Sequence, residues 1–117
     1  MIAKELLKGS IKSIVLKILT ENERMYGYEL TQRVEELTNG SIKLTFGALY
    51  PILHKLETDG DVTTESEVVN NRTRVYYKLT PSGLETAKEK IKELFDFVDI
   101  MQKLLNNEHG KPLLQTI

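Results

Sequence analysis

From Leu49 to Gly60 the chain reads LYPILHKLETDG, and from Arg74 to Gly83 it reads RVYYKLTPSG. The first stretch is a short amphipathic helix that stops at a glycine. The second is the return strand of a hairpin that runs directly into a new helix start. A helix feeding a two-stranded ribbon is the pattern of a winged helix-turn-helix, an arrangement that lays one helix in a DNA major groove.

Thr45 is placed to cap the first of these helices. Phe46, Leu49, Ile52, Leu53 and Leu56 form its expected buried stripe. Pro51 lies inside it, where proline removes the hydrogen bond to the Gly47 carbonyl and bends the first turn. Asp59-Gly60 ends it. The segments 62–68 and 74–79 read as strands around a Val69-Asn70-Asn71 turn. Alternation puts Val75, Tyr77 and Leu79 on one face of the return strand, and Arg74, Tyr76 and Lys78 on the solvent or DNA face.

Thr80-Pro81 is a helix opening, with threonine as N-cap and proline in the first turn. Beyond it Leu84, Ala87, Ile91, Leu94, Val98, Met101 and Leu105 recur in steps of three and four, a heptad seam. A helix that long cannot bury its whole seam on so small a domain, so the seam predicts a homodimer. Toward the N-terminus, residues 4–20 read as one helix, apolar nearly all round, which again calls for burial on more than one side. A second helix spans 26–37, with Tyr26, Leu30, Val34 and Leu37 on one face and Asn39-Gly40 as its stop. Gly27 near its start suits either close packing or a relaxed turn, and 41–44 is short enough for an edge strand.

At 117 residues the chain suits one domain. The predicted architecture is mainly α (α+β): a winged helix-turn-helix over 1–80, a long C-terminal dimerisation helix over 81–106, and a flexible tail over 107–117. There is no cysteine, which removes disulfides, thiolate metal sites and thiol nucleophiles. No apolar run approaches a membrane span and no signal peptide is evident, so a cytoplasmic protein without membrane association is expected. The two histidines, His54 and His109, do not assemble a catalytic triad; no donors cluster for a metal, and no glycine-rich phosphate loop occurs. Neither an enzyme nor a cofactor is expected. With 16 Lys and Arg against 17 Asp and Glu, the net charge is −1. That balance argues against strong non-specific DNA binding, the more so because Asp59, Asp61, Glu65 and Glu67 lie close to the candidate cations.

Tyr26-Gly27-Tyr28-Glu29-Leu30, the LYPxLxxLExxG motif from Leu49 and the RxYYxLTxxG motif from Arg74 resemble, in order and spacing, the PadR family of bacterial transcription regulators. The resemblance runs from about Leu6 to about Asn106 and is closest to the short subfamily, with one C-terminal helix in place of a separate ligand domain. It implies a homodimeric, ligand-responsive repressor on double-stranded operator DNA, acting near its own promoter.

On the residues alone, Tyr50, His54 and Lys55 face away from the stripe of the 45–58 helix and suit phosphates and base edges. Lys43 and Thr45 stand at its entry, where backbone amides favour a phosphate. An ordinary solvated polar face would look the same. The resemblance adds that the tyrosine of the LYP motif and residues at this entry touch DNA, which carries over to Tyr50 and Thr45. Asn71, Arg72 and Arg74 form the candidate wing, though its tip lacks the glycines of many family members. Phe95 and Phe97 stand beside the seam; the resemblance implies an aromatic there lining an apolar pore for a small planar effector, while simple interface packing is the plainer reading. The dimer interface is expected at Leu84, Ile91, Leu94, Val98, Met101 and Leu105. The rival function is a winged-helix protein-interaction module with no operator of its own.

Overall fold

The structure is a computed structural model and describes residues 2–107. Its elements run α1 (Lys4–Lys8), α2 (Ile11–Glu21), β1 (Met25–Tyr26), α3 (Gly27–Leu37), α4 (Phe46–Thr58), β2 (Val62–Val69), β3 (Arg72–Leu79) and α5 (Pro81–Leu105). The strands form an antiparallel sheet in the order β1-β3-β2, with Met25 opposite Tyr77 and Val62 opposite Leu79. This is the winged helix-turn-helix expected from the sequence: α3 and α4 are the helix pair, and β2–β3 is the wing.

The core is one cluster in which Val15 and Leu16 of α2, Leu30 and Val34 of α3, and Leu49, Leu53 and Leu56 of α4 meet Tyr77 of β3 and Ala87 of α5. Burying each such aliphatic side chain stabilises the fold by about 1.5–3 kcal/mol. The helix ends follow their chemistry. Asn39 and Gly60 adopt φ of 50° and 79°, and each closes its helix with the paired hydrogen bonds of a Schellman motif: Gly40 N to Glu35 O at 2.8 Å after α3, Asp61 N to Leu56 O at 2.9 Å after α4. Helix α4 is continuous through Pro51.

Four expectations need correction. The single helix over 4–20 is two: it breaks at Gly9-Ser10, where Ser10 N bonds Leu7 O at 2.8 Å, a Gly/Ser pair being a common point of helix kinking. Helix α1 buries no residue and Leu6 is exposed. Residues 41–44 form no strand; the third strand is Met25–Tyr26, which pairs with β3 just before α3 begins. The hairpin turn is the two-residue Asn70-Asn71, with both φ positive at 51° and 62°, a pattern that matches the twist of the flanking strands. Finally, Phe46 and Leu37 lie on exposed surface rather than in the buried stripes.

Candidate nucleic-acid interface

Thr45 caps α4: its hydroxyl oxygen accepts from Ala48 N at 3.2 Å. With Leu49, Leu53 and Leu56 turned into the core, the outward strip of α4 consists of Gly47, Pro51, His54, Lys55 and Thr58. The small Gly47 and Pro51 give this strip a low profile near the helix entry, while His54 and Lys55 supply its polar groups. Sequence patterning missed Phe46 and Gly47 as surface residues because a Phe at the start of an apolar stripe reads as core. Phe46 instead leans on Tyr50, ring centroids 5.7 Å apart.

Tyr50 has a packing role that helical spacing alone did not disclose. It is half-buried against the core, and its hydroxyl lies over Gly27, where an added Cβ would come within 2.5 Å of Tyr50 Oη. Of its two expected roles, Gly27 therefore serves close packing: it lets α4 approach the start of α3. The neighbouring Tyr77 phenol is held above its ordinary value first by burial and then by proximity to Tyr50.

The acids that crowd the cations in sequence are largely engaged in space. Arg24, in the link before β1, reaches Glu65 at 3.0 Å and Glu67 at 2.9 Å, and its guanidinium lies 3.9 Å from the centre of the Tyr76 ring. Asp59 pairs with Lys55 at 3.1 Å. Asp61 is buried and its carboxylate accepts from the Thr86 hydroxyl at 2.7 Å. Sequence alone gives Arg24 no prominence: a lone arginine in a polar connection carries no signal until the hairpin register brings Glu65 and Glu67 beside it.

At the wing, Asn71 and Arg72 are exposed, and Arg72 makes no ion pair among the described residues. Arg74 is less free: it lies 4.5 Å from the centre of the Tyr26 ring, and Tyr26 in turn meets Tyr76 edge-on at 5.4 Å. Lys43 is exposed and 3.7 Å from Glu35. Thr45, His54, Lys55 and Tyr50 thus share one helix, with Lys43 at its entry and the Asn71–Arg74 segment on the adjoining hairpin.

The start of α5 is locked onto the end of α4. Thr80 Oγ1 donates to Gly60 O at 2.7 Å and accepts from Gly83 N at 2.9 Å, while Thr80 N donates to Asp61 O at 3.0 Å. Gly83 is buried against Asp61, and a Cβ there would overlap the Asp61 carbonyl. Farther along α5 the seam divides. Ala87 is fully buried, and Ile91 and Leu94 lie against α2 of the same chain. Leu84, Val98 and Leu105 stay exposed at 40%, 45% and 76%, with Met101 half-buried. Phe95 and Phe97 do not line one site within the subunit. Phe95 borders an apolar groove of about 340 Å³ between α2, α3 and α5, walled by Ile14, Ile18, Leu37 and Ile42; Phe97 borders a second groove beside Glu5 and Lys12.

Among the described residues no cluster of His, Cys, Asp or Glu could hold a metal ion, and no helix is long and apolar enough to cross a membrane. His109 and the 108–117 part of the expected tail lie outside the described residues.

Known proteins share these features. The transcriptional regulator PadR-like family matches residues 15–89. A transcriptional regulator of Mycobacterium tuberculosis is 36% identical over 80 residues, covering 68% of this chain and 71% of that protein. Among solved structures, a PadR family transcriptional regulator from Eggerthella lenta superposes with a TM-score of 0.74 at 30% identity, covering 89% of this chain and 88% of that one. A transcriptional regulator from Clostridium thermocellum gives 0.75 at 26% identity, covering 88% and 97%. The matched span runs from the middle of α2 through the wing into α5, so it includes the helix pair, the hairpin and the junction to the last helix, and the chain belongs to the PadR-like family of transcriptional regulators.

Proposed function

We propose that this regulator is a homodimeric, ligand-responsive repressor that holds operator DNA with α4 and the wing. The observation that carries the reading is the outward strip of α4, with His54 and Lys55 exposed and Leu49, Leu53 and Leu56 buried behind them, next to a hairpin tip bearing Arg72, which makes no ion pair among the described residues. In this reading His54 and Lys55 face the major groove, Lys43 and Thr45 meet phosphates at the helix entry, and Asn71, Arg72 and Arg74 lie along the flanking backbone. Tyr50 is half-buried with its hydroxyl end over Gly27, so in this reading it holds α4 against α3 as well as touching DNA. The engagement of Asp61, Glu65 and Glu67 with Thr86 and Arg24 keeps three of the nearby carboxylates away from Arg72, which supports the reading although the net charge is near zero.

The distal half of α5 supports dimerisation. From Phe95 to Leu105 it buries no residue, and Phe95, Phe97, Ile100, Leu104 and Leu105 are each about 60–75% exposed. An exposed apolar patch of that kind marks an interaction surface, and a second α5 is the partner with a matching seam. The apolar groove beside Phe95 falls within the usual size of ligand sites, about 300–1,000 Å³, and supports binding of a planar, largely apolar effector. Such an effector relaxes the operator complex only by favouring one spacing of the two recognition helices over another.

The test is a titration of duplex DNA at two salt concentrations with the unmodified chain and with Lys55→Ala and Arg72→Ala. Removing one phosphate-binding side chain lowers the log–log salt slope by about 1. Binding that ignores salt, or is unchanged in both variants, contradicts the assignment and favours the protein-interaction reading.

A further inference from the structure

The break at Gly9-Ser10 gives α1 a position of its own, and that position brings two cations to the recognition helix. The Ile2 amide donates to Ser41 O at 3.1 Å, which ties the N-terminal segment to the turn between α3 and α4. Helix α1 then lies along one wall of a groove whose other wall is the entry of α4. Lys4 and Lys8 rim it on one side; Lys43, Thr45, Gly47 and Ala48 close the other. Lys4 and Lys8 are four residues apart, so both ammonium groups stand on the same side of α1.

Their electrostatic setting differs from that of most cations in the chain. On α4 and α5, Lys55 is held by Asp59 at 3.1 Å, Lys88 by Glu85 at 3.3 Å and Lys92 by Asp96 at 2.7 Å. Such lysines gain less by approaching a phosphate than an unpaired cation does, because a surface carboxylate contact of about 0–1 kcal/mol is exchanged in the process. Neither Lys4 nor Lys8 has a carboxylate within ion-pair distance among the described residues. Glu5, the acid on the same helix, borders the separate groove that holds Lys12 and Phe97. Uncompensated cations thus stand on either side of α4: Lys4 and Lys8 by its entry, Arg72 at the wing.

We infer that α1 is a second DNA-contacting element, in which Lys4 and Lys8 neutralise backbone phosphates flanking the segment read by α4. The inference rests on the DNA-binding reading above. The contact is to phosphate rather than to bases, so it adds affinity without sequence preference. Each neutralised phosphate releases condensed counterions and contributes about 0.9 to the slope of log K against log salt.

The experiment measures that slope by fluorescence anisotropy on mixed-sequence duplex DNA, and again on the same duplex trimmed at both ends to the bases spanned by the recognition helices. Lys4→Ala/Lys8→Ala is expected to lower the slope by about 2 on the long duplex, about 1 for each lysine, and to match the unmodified chain on the trimmed one. Lys4→Gln/Lys8→Gln, which removes the charge but keeps a long polar side chain, is expected to repeat the loss, and Lys88→Ala to leave the slope unchanged. Circular dichroism is expected to be the same for all, since Lys4, Lys8 and Lys88 are exposed. An unmodified chain that binds with a steep slope, next to double variants with the same slope, overturns this inference alone. Equal losses on both duplexes also overturn it, because the contact then lies within the recognised segment. An unmodified chain with no salt-dependent binding overturns the DNA-binding reading and this inference with it.

Discussion

Replacing Gly83 with alanine pits two effects of opposite sign against each other, and the structure decides between them. In an open helix the change stabilises, because glycine is about 1 kcal/mol worse than alanine in a helix interior. At Gly83 the new Cβ would lie 2.7 Å from the Asp61 carbonyl carbon and 3.1 Å from its Cα, and would overlap the oxygen. Backing α5 away to make room strains three hydrogen bonds: Thr80 N to Asp61 O at 3.0 Å, Thr80 Oγ1 to Gly60 O at 2.7 Å, and Thr86 Oγ1 to the buried Asp61 carboxylate at 2.7 Å. Neutral hydrogen bonds contribute about 0.5–1.5 kcal/mol each and those to charged groups about 1.5–3 kcal/mol; overpacking alone costs about 1–3 kcal/mol. The steric term wins, and a net loss of about 2 kcal/mol is expected. At about 4 °C per kcal/mol for a domain of this size, the melting temperature falls by about 8 °C. Thermal unfolding followed by circular dichroism, at one fixed protein concentration because dimerisation shifts apparent stability, measures it. Gly47→Ala is the control: its Cβ would meet only Thr45 Oγ1 at 4.0 Å, so the propensity gain remains and the variant is expected to melt at or above the unmodified chain. A Gly83→Ala protein as stable as the unmodified chain would show that the α4–α5 junction is looser than these distances require.

Three further outcomes follow from the same geometry. Leu105→Asp, at a position 76% exposed in the subunit, is expected to yield folded monomers in sedimentation experiments, whereas Ile91→Asp, which lies against the core, damages the fold itself; a dimeric Leu105→Asp protein would contradict the proposed seam. Tyr50→Ala is expected to cost about 2 kcal/mol, below the 3–5 kcal/mol of a fully buried aromatic, while Tyr50→Phe keeps stability and loses only what the hydroxyl gives DNA; urea midpoints and duplex titrations of the pair separate packing from contact. Burial raises the Tyr77 phenol above its ordinary value, so its contribution is fully present below the unfolded-state value near 10 and is lost as pH rises through the higher folded value; Tyr77→Phe is expected to flatten that alkaline decline, and an unchanged decline would place its source elsewhere.

The helix pair, the wing and the long last helix were legible in the sequence because each carries local chemistry: Thr45 and Thr80 as caps, Asn39-Gly40 and Asp59-Gly60 as stops, and period-two alternation in β3. What escaped depends on contacts between distant segments. Met25–Tyr26 is too short to show a strand pattern and pairs only because β3 passes beside it. The role of Tyr50 depends on Gly27 having no side chain, and that of Arg24 on a register that sets Glu65 opposite Tyr76 and Glu67 opposite Arg74. Phe46 misled because an aromatic at a stripe position can lie over another ring on the surface as readily as in the core. At Gly9-Ser10 the apolar residues continue on both sides, which masked the break.

The proposed function turns on two copies of α4, set apart by paired α5 helices, reading operator DNA together. Selection of duplexes from a random library by the purified chain, followed by sequencing of the retained fragments, is its decisive test. Convergence is expected on an inverted repeat whose half-sites lie about one helical turn apart, ~34 Å centre to centre, with one dimer bound per duplex. Retained fragments with no shared sequence, or a single half-site bound by a monomer, would contradict it.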